Sequence, residues 1–290
     1  MIPAAVWVEA ARPRTLPAAV AAVLVGTAAA SRFSLWRFVA AMVVGVAVQV
    51  AVNYANDYFD GVRGVDTAAR VGPRRAVAAG LVRPRAMRAA TGVALGVAAV
   101  TGLGLAFVAG WPVLLIGLAA FAATLCYSGG PRPYASVGLG ELFVFVFFGL
   151  VATAGSAYVQ EERLVLSSIV AGCAMGALAT ALLVVNNLRD IPTDRLAGKR
   201  TLAVRLGDRR TRRLYTGLLG VLTPAAIVLT ALVTGSLWPL LAFVAVPLLR
   251  RALLLVRTAV QPSELIRALE ATGRLQLAVG VLLAVGLWSA

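Results

Sequence analysis

The chain has 290 residues, 60% hydrophobic and only 13% charged, with a mean hydropathy of +0.89. Too little polar surface remains to keep it in water, which excludes an ordinary soluble domain, so the net charge of +15 is first a matter of membrane topology and not of nucleic-acid binding. There is no histidine, which excludes a histidine base, a histidine-containing triad and histidine metal ligands; Cys126 and Cys173 sit in separate apolar runs as small core side chains, not as a disulfide or zinc pair.

A helix rises about 1.5 Å per residue and the hydrocarbon core is about 30 Å thick, so membrane spans are runs of roughly 17 to 25 apolar residues. In chain order such runs fall at 15–31, 38–55, 89–109, 111–127, 138–158, 165–187, 214–233, 237–255 and, shorter, 275–289. They predict an all-α, polytopic membrane helical bundle of about nine transmembrane helices, forming a single domain over 1–290. The first run also has features of a signal peptide, with Arg12 and Arg14 before it and Ala28, Ala29 and Ala30 near its end. Charge argues for its retention. With a cytoplasmic N-terminus and nine alternating spans, all of the 27 basic residues except Arg32, Arg37 and Arg163 fall on the cytoplasmic side.

Two long cytoplasmic segments, 56–88 and 188–213, follow the second and sixth spans and emerge on the same face. Each begins with Asn and Asp and continues into Gly and basic residues, which suggests a weak internal repeat of four-span units with the ninth span extra. Five of the twelve carboxylates lie at the starts of these segments: Asp57, Asp60 and Asp66 in the first, Asp190 and Asp194 in the second. If the spans continue helically, Asp57 and Asp60 lie at i, i+3 with Asn53 one turn earlier, and Asp190 and Asp194 at i, i+4 with Asn186 one turn earlier. Like charges so close need a cation between them. Mg²⁺ fits, because it takes oxygen ligands and typically joins one or two carboxylates to substrate phosphates. Asp57, Asp60, Asp190 and Asp194 are therefore the expected metal ligands, with Asp66 as a further candidate.

Basic residues follow each cluster: Arg63, Arg70, Arg74 and Arg75 after the first, Arg195, Lys199 and Arg200 after the second. Lys199 is the only lysine in an arginine-rich chain, and a compact ammonium beside a phosphate would account for it. Arginine clusters of this kind also suit anionic lipid headgroups.

These residues resemble the membrane-embedded aromatic prenyltransferases typified by the 4-hydroxybenzoate polyprenyltransferases. The superfamily motifs are Asn53 with Asn56-Asp57-x-x-Asp60, and Asp190-x-x-x-Asp194. The stretches Ala11-Arg12-Pro13-Arg14-Thr15-Leu16-Pro17, Arg70-Val-Gly72-Pro73-Arg74-Arg75, Tyr127-Ser-Gly129-Gly130-Pro131-Arg132-Pro133, Gly138-Leu-Gly140-Glu141 and Asn187-Leu-Arg189-Asp190 through Gly198-Lys199-Arg200-Thr201 resemble the naphthoate-prenylating subgroup. Where many superfamily members carry a third acidic residue, this chain has Gly64, and the next carboxylate is Asp66.

The resemblance implies Mg²⁺-dependent transfer of a polyprenyl group from an allylic diphosphate to an aromatic acid, in a multi-pass protein of the cell membrane with its site facing the cytoplasm. Asp57, Asp60, Asp190 and Asp194 would hold the metal, while Asn53, Asn56, Asn187, Lys199, Arg200, Arg63, Arg70 and Arg74 would surround the diphosphate. Departure of diphosphate leaves an allylic cation, for which Tyr127, Tyr134 and Phe143 are π-face candidates. Arg14 or Arg132 would hold the acceptor carboxylate, and Glu141 would take a hydroxyl proton or assist the metal. Other acceptors within the superfamily and a secondary transporter are the alternatives; the transporter is disfavoured because the middles of the spans are uncharged.

Overall fold

The computed structural model describes residues 2–64, 72 and 74–290. Every regular element among them is helical. A short helix α1 (Ala4–Ala11) ends at Arg12, because the following Pro13 disfavours helical geometry in the residue before it and Arg12 turns left-handed at φ 53°. A short turn then leads into α2 (Pro17–Ala28), which starts with proline at its first position, where no backbone N–H is needed.

Eight long apolar helices follow: α3 (Leu35–Val62), α4 (Pro84–Ala109), α5 (Trp111–Ser128), α6 (Gly140–Glu161), α7 (Leu166–Leu196), α8 (Leu202–Thr234), α9 (Trp238–Thr258) and α10 (Pro262–Trp288). Each is long and apolar enough to cross a bilayer, whereas α2, at the first expected span, has only 12 residues. The run nevertheless passes from Thr15, beside Asn53, to Ser31, beside Glu161 at the opposite end of the bundle, with Ala21, Ala22 and Val25 completely buried among α3, α6, α7 and α10. The helices alternate in direction, so one end of the bundle collects the ends of α3, α5, α7 and α9 and the starts of α4, α6, α8 and α10.

Helix α7 is the hub. Ala171, Ala174, Met175, Ala177, Leu178, Ala181, Val184 and Val185 have no exposed surface and pack against α2, α6, α8 and α10. The outer helices reverse this pattern, exposing Phe107, Trp111, Leu118, Val221, Leu232 and Leu237. Such a girdle would drive aggregation in water and is the expected lipid-facing surface of a membrane protein.

Lipid tails are as apolar as leucine, so helices in a membrane associate by close packing at small residues. Gly172 and Gly176 on α7 form a Gly-x-x-x-Gly stripe against α6: a Cβ on Gly149 would come 2.3 Å from the Gly176 Cα, and one on Gly176 would come 2.9 Å from the Phe145 carbonyl oxygen. The same stretch of α6, Phe145–Val151, widens into π-helical turns.

At the end away from the aspartates, the buried Glu161 carboxylate accepts from the Ser31 hydroxyl at 2.5 Å, the Arg32 amide at 3.0 Å and Arg163 Nε at 3.3 Å. The Gln160 amide pairs with the Ser34 backbone in both directions, and Arg37 donates to the Val159 carbonyl at 2.8 Å and to Glu162 at 2.9 Å. The three basic residues expected outside the cytoplasmic face thus lie together around two carboxylates.

Gly149→Leu forces backbone against backbone, where no side chain can yield, and is expected to lower stability in detergent by about 1–3 kcal/mol or more. Gly96→Ala, on an exposed stretch of α4 with nothing within 4 Å, serves as the comparison and leaves the thermal midpoint unchanged or slightly raised.

Candidate active site

Both Asn/Asp segments continue as helix beyond their apolar runs, so Asn53, Asn56, Asp57 and Asp60 belong to α3, and Asn186, Asn187, Asp190 and Asp194 to α7. The segment 188–213 is accordingly helical over most of its length, broken by a turn at 197–201 before α8 and by a kink inside α8 at Gly207, whose φ is 73° and ψ 170°. Pro192 lies between the two α7 aspartates; its missing N–H leaves the Leu188 carbonyl without its helical donor and loosens this last stretch.

The two helix ends meet over a small polar cavity of about 50 Å³, lined by Asn56, Asp60, Arg75, Tyr127, Asn186, Asn187, Asp190, Asp194 and Lys199, with hydroxyls of Ser128, Ser136, Thr193 and Thr201. Lys199 Nζ donates to Asp60 Oδ2 at 2.9 Å, and Arg75 stands 4.0 Å from the same oxygen. Arg189 grips Asp190 with two hydrogen bonds, at 2.7 and 2.8 Å, and reaches Asn186 Oδ1 at 2.9 Å. The Thr201 hydroxyl donates to Asp194 at 3.5 Å while capping α8. Asn56 Oδ1 is a buried acceptor without a hydrogen-bond partner.

Asp57 behaves differently from its neighbours. Its two oxygens accept from the Ala76 and Val77 amides at 2.9 and 2.8 Å, so it is 1% exposed and holds the 76–80 turn instead of facing the polar cavity. Asn53 likewise turns to protein, donating to the Ala11 carbonyl at 2.8 Å and to Thr15 Oγ1 at 3.1 Å.

Asn56, Tyr127 and Asn186 also line a second, far larger cavity of about 1020 Å³ inside the bundle. Near this junction its wall carries a ring ladder: Tyr127 meets Tyr134 edge-on at 5.4 Å, Tyr134 stacks on Phe143 at 4.1 Å, and Phe143 on Phe147 at 6.1 Å. The widened turns of α6 bring Phe147, Phe148 and Val151 to the same wall. The Tyr134 hydroxyl donates to the Ala123 carbonyl at 2.9 Å, and burial, with Tyr127 adding to it, pushes its pKa up, so it stays protonated. Beyond the ladder the wall is aliphatic, and lining residues Leu103, Leu114, Ile116 and Leu118 of α4 and α5 are exposed, so the chamber is open on the side of these two helices.

Several expected residues stand elsewhere. Arg63 donates to the Ser128 and Gly130 carbonyls at 2.6 and 2.5 Å and so braces the end of α5. Arg74 is exposed and pairs with Glu9 at 3.8 Å, while its neighbour Arg75 is the one buried in the site. Arg200 and Arg132 are exposed and line neither cavity. Arg14 borders the large chamber, half-exposed and paired with Glu270 at 2.9 Å. Glu141 is buried but lines neither cavity; it accepts from Asn187 Nδ2 at 3.0 Å. Asp66 and Arg70 lie outside the described residues. Two arginines without an assigned role, Arg12 and Arg189, line the chamber. For Arg189 the available signal was its place beside Asp190 on a helix otherwise buried.

The family model described as UbiA prenyltransferase family matches residues 15–288. The 1,4-dihydroxy-2-naphthoate octaprenyltransferase of Mycobacterium tuberculosis (strain H37Rv) is 46% identical over 270 residues, 92% of this chain and 91% of that protein. The protein of the same name from Escherichia coli K12 is 36% identical over 291 residues, 97% and 94% of the two chains. Among solved structures, a UbiA homolog from Archaeoglobus fulgidus bound to GPP and Mg²⁺ superposes with a TM-score of 0.69 at 16% identity, covering 98% of this chain and 100% of that one. The apo structure of a UbiA homolog from Aeropyrum pernix K1 gives 0.70 at 17% identity, covering 94% and 95%. With a whole-length family match, close relatives over more than nine-tenths of the chain and the same fold, this chain belongs to the UbiA prenyltransferase family.

Proposed function

We propose that this protein transfers a polyprenyl group from an allylic polyprenyl diphosphate to 1,4-dihydroxy-2-naphthoate in menaquinone biosynthesis, giving demethylmenaquinol, the reduced form of demethylmenaquinone, with CO₂ and diphosphate. The names of its relatives support the acceptor. The observation that carries the reading is the shared wall: a polar cavity with carboxylates and cations has Asn56, Tyr127 and Asn186 in common with a large apolar chamber lined with rings. A long isoprenoid diphosphate has the same division between charged head and greasy tail.

In this reaction the bond between the prenyl C1 and the diphosphate oxygen breaks, and its electron pair leaves on the diphosphate. A carbon–carbon bond forms at the ring carbon bearing the carboxylate, and loss of CO₂ returns the electrons that restore the aromatic ring. Lys199 and Arg75, now held on Asp60, are placed to share the charge of the leaving diphosphate. The Tyr134, Phe143 and Phe147 faces stabilise the allylic cation, and the apolar wall keeps water from it.

The donor set fits Mg²⁺. Asp60, Asp190, Asp194 and the unpartnered amide oxygen of Asn56 are hard oxygens around one cavity. Among the described residues no three carboxylates stand close enough to hold an ion by themselves, which suits an ion that arrives with the diphosphate. Bound there, Mg²⁺ would neutralise the leaving group. Asp57 contributes by fixing the turn that leads Arg75 into the site.

The carboxylate-for-prenyl exchange needs no net proton removal, so Glu141 acts by holding Asn187. Basic residues gather at the aspartate end of the bundle, and we place that end at the cytoplasmic face of the cell membrane.

With a polyprenyl diphosphate, excess Mg²⁺ and the naphthoate, Asp60→Asn and Asp190→Asn should each lower product formation by about 10²-fold or more. Failure of wild type to prenylate the naphthoate would refute the reading. Glu141→Gln, which keeps an acceptor for Asn187, should retain activity within about tenfold, whereas a general base would lose about 10²–10⁴-fold. A reporter inserted in the 197–201 turn should be active only as a cytoplasmic fusion; an external signal there would reverse the orientation.

A further inference from the structure

Arg189 is 4% exposed on α7, and its guanidinium holds two other residues of the same helix. Nε donates to Asp190 Oδ1 at 2.7 Å, and Nη2 donates both to Asp190 Oδ2 at 2.8 Å and to Asn186 Oδ1 at 2.9 Å. Adjacent residues on a helix do not face each other, whereas Asn186 and Asp190, at i and i+4, share a face. The fork therefore bridges the two ends of one helical turn. Its own place differs from theirs: Asp190 lines the polar cavity, Arg189 lines the chamber, and Asn186 lines both. The guanidinium thus stands on the chamber side of the carboxylate.

A guanidinium has donors and no acceptor, so Asn186 presents its carbonyl oxygen to Arg189 and turns its N–H donors away from the fork. A carboxylate has about four acceptor positions. Two parallel N–H bonds fix the plane of the Asp190 carboxylate, and with it the direction of the positions that the fork does not use. Bracing is needed at this point of α7. Pro192 supplies no N–H to the Leu188 carbonyl, so the helix is weakened over the turn that carries Asp190. Arg189 ties that turn back to Asn186, in the unbroken helix before it. From outside the helix Gly72 lies against the same group: a Cβ there would come 3.2 Å from Cζ and Nη1 of Arg189, so a glycine is what lets the chain run this close to the fork.

We propose that Arg189 is the positioning residue of the second aspartate cluster: its fork holds Asp190 as a carboxylate turned to the cation and Asn186 as a donor turned to the diphosphate. The geometry of the fork, and not its charge by itself, is what the site requires. A lysine could balance Asp190 electrically but could not grip both of its oxygens and Asn186 at once. This inference rests on the proposed Mg²⁺ and diphosphate site.

The test measures binding without turnover. Mn²⁺ replaces Mg²⁺ and is followed by electron paramagnetic resonance, and geranyl thiolodiphosphate, with sulfur at the scissile position, replaces the prenyl donor. Arg189→Lys keeps the charge balance and should hold its thermal midpoint near that of wild type. It should nevertheless weaken Mn²⁺ binding in the presence of the analogue by about 10–100-fold, the usual scale for losing a group that orients a metal ligand. Arg189→Gln should lose at least as much. Asn186→Leu, which leaves the Asp190 bonds in place, should weaken binding of the analogue without added metal by about tenfold, the scale of one hydrogen bond to a charged group. KM for the naphthoate should stay within about twofold in all three variants. An Arg189→Lys protein that binds Mn²⁺ and the analogue like wild type reduces Arg189 to charge compensation and overturns the assignment. A loss confined to the KM for the naphthoate overturns it as well, by making Arg189 an acceptor contact. Unchanged analogue binding in Asn186→Leu overturns the donor role of Asn186. A wild-type protein that binds neither Mn²⁺ nor the analogue overturns the metal and diphosphate reading beneath.

Discussion

The aspartate end of this bundle is governed by the need to compensate buried carboxylates. Asp57, Asp60 and Asp190 are each no more than 5% exposed, and a charge buried without a partner destabilises a protein by several kcal/mol. Each is answered in a different way: Asp57 by two backbone amides, Asp60 by a lysine with an arginine behind it, Asp190 by a bidentate arginine. The first arrangement folds a turn; the other two hold cations beside the polar cavity, where the proposed diphosphate would lie. Structure and chemistry thus use the same charges, and the turn at 76–80, α1 and the start of α8 are organised around them.

Around this polar end the rest of the molecule obeys a different economy. The apolar helices gain nothing from leaving lipid for one another, so they are held by contact between backbones at Gly149, Gly172, Gly176, Gly26 and Gly280. Close approach on the α6–α7 side leaves room on the other: α3, α4 and α5 stand away from the hub and enclose the chamber. A tightly knit half and an open half are both products of where small residues fall.

The layout of helices was legible because hydrophobic run length is nearly sufficient in a membrane, and breaks such as Gly110-Trp-Pro112 are explicit. The first run is the shortest in helix, 12 residues in α2, and its burial among four neighbours is a property of packing that apolar composition does not reveal. The spacing of aspartates on α3 and α7 pointed to two helix ends, and these meet over one polar cavity. It did not resolve direction. Asp57 and Asp60 lie on neighbouring helical positions, yet one meets a turn 19 residues away and the other meets Lys199, 139 residues away, and contacts that distant leave no trace in local spacing. Arg74 and Arg75 differ in the same way, one in solvent and one buried. Exposure of a particular arginine in a row of arginines is a tertiary property.

The opening of the chamber at Leu103, Leu114 and Leu118 bears on how substrate size is sensed. A tail that runs out between α4 and α5 moves from one hydrocarbon medium to another, and each added isoprene unit changes the free energy of binding by close to zero. Recognition is then concentrated in the diphosphate and the first units beside the rings. On the proposed reaction, such a protein reads head groups and is indifferent to what trails into the bilayer, and a product that has lost its charged end is already in the lipid phase.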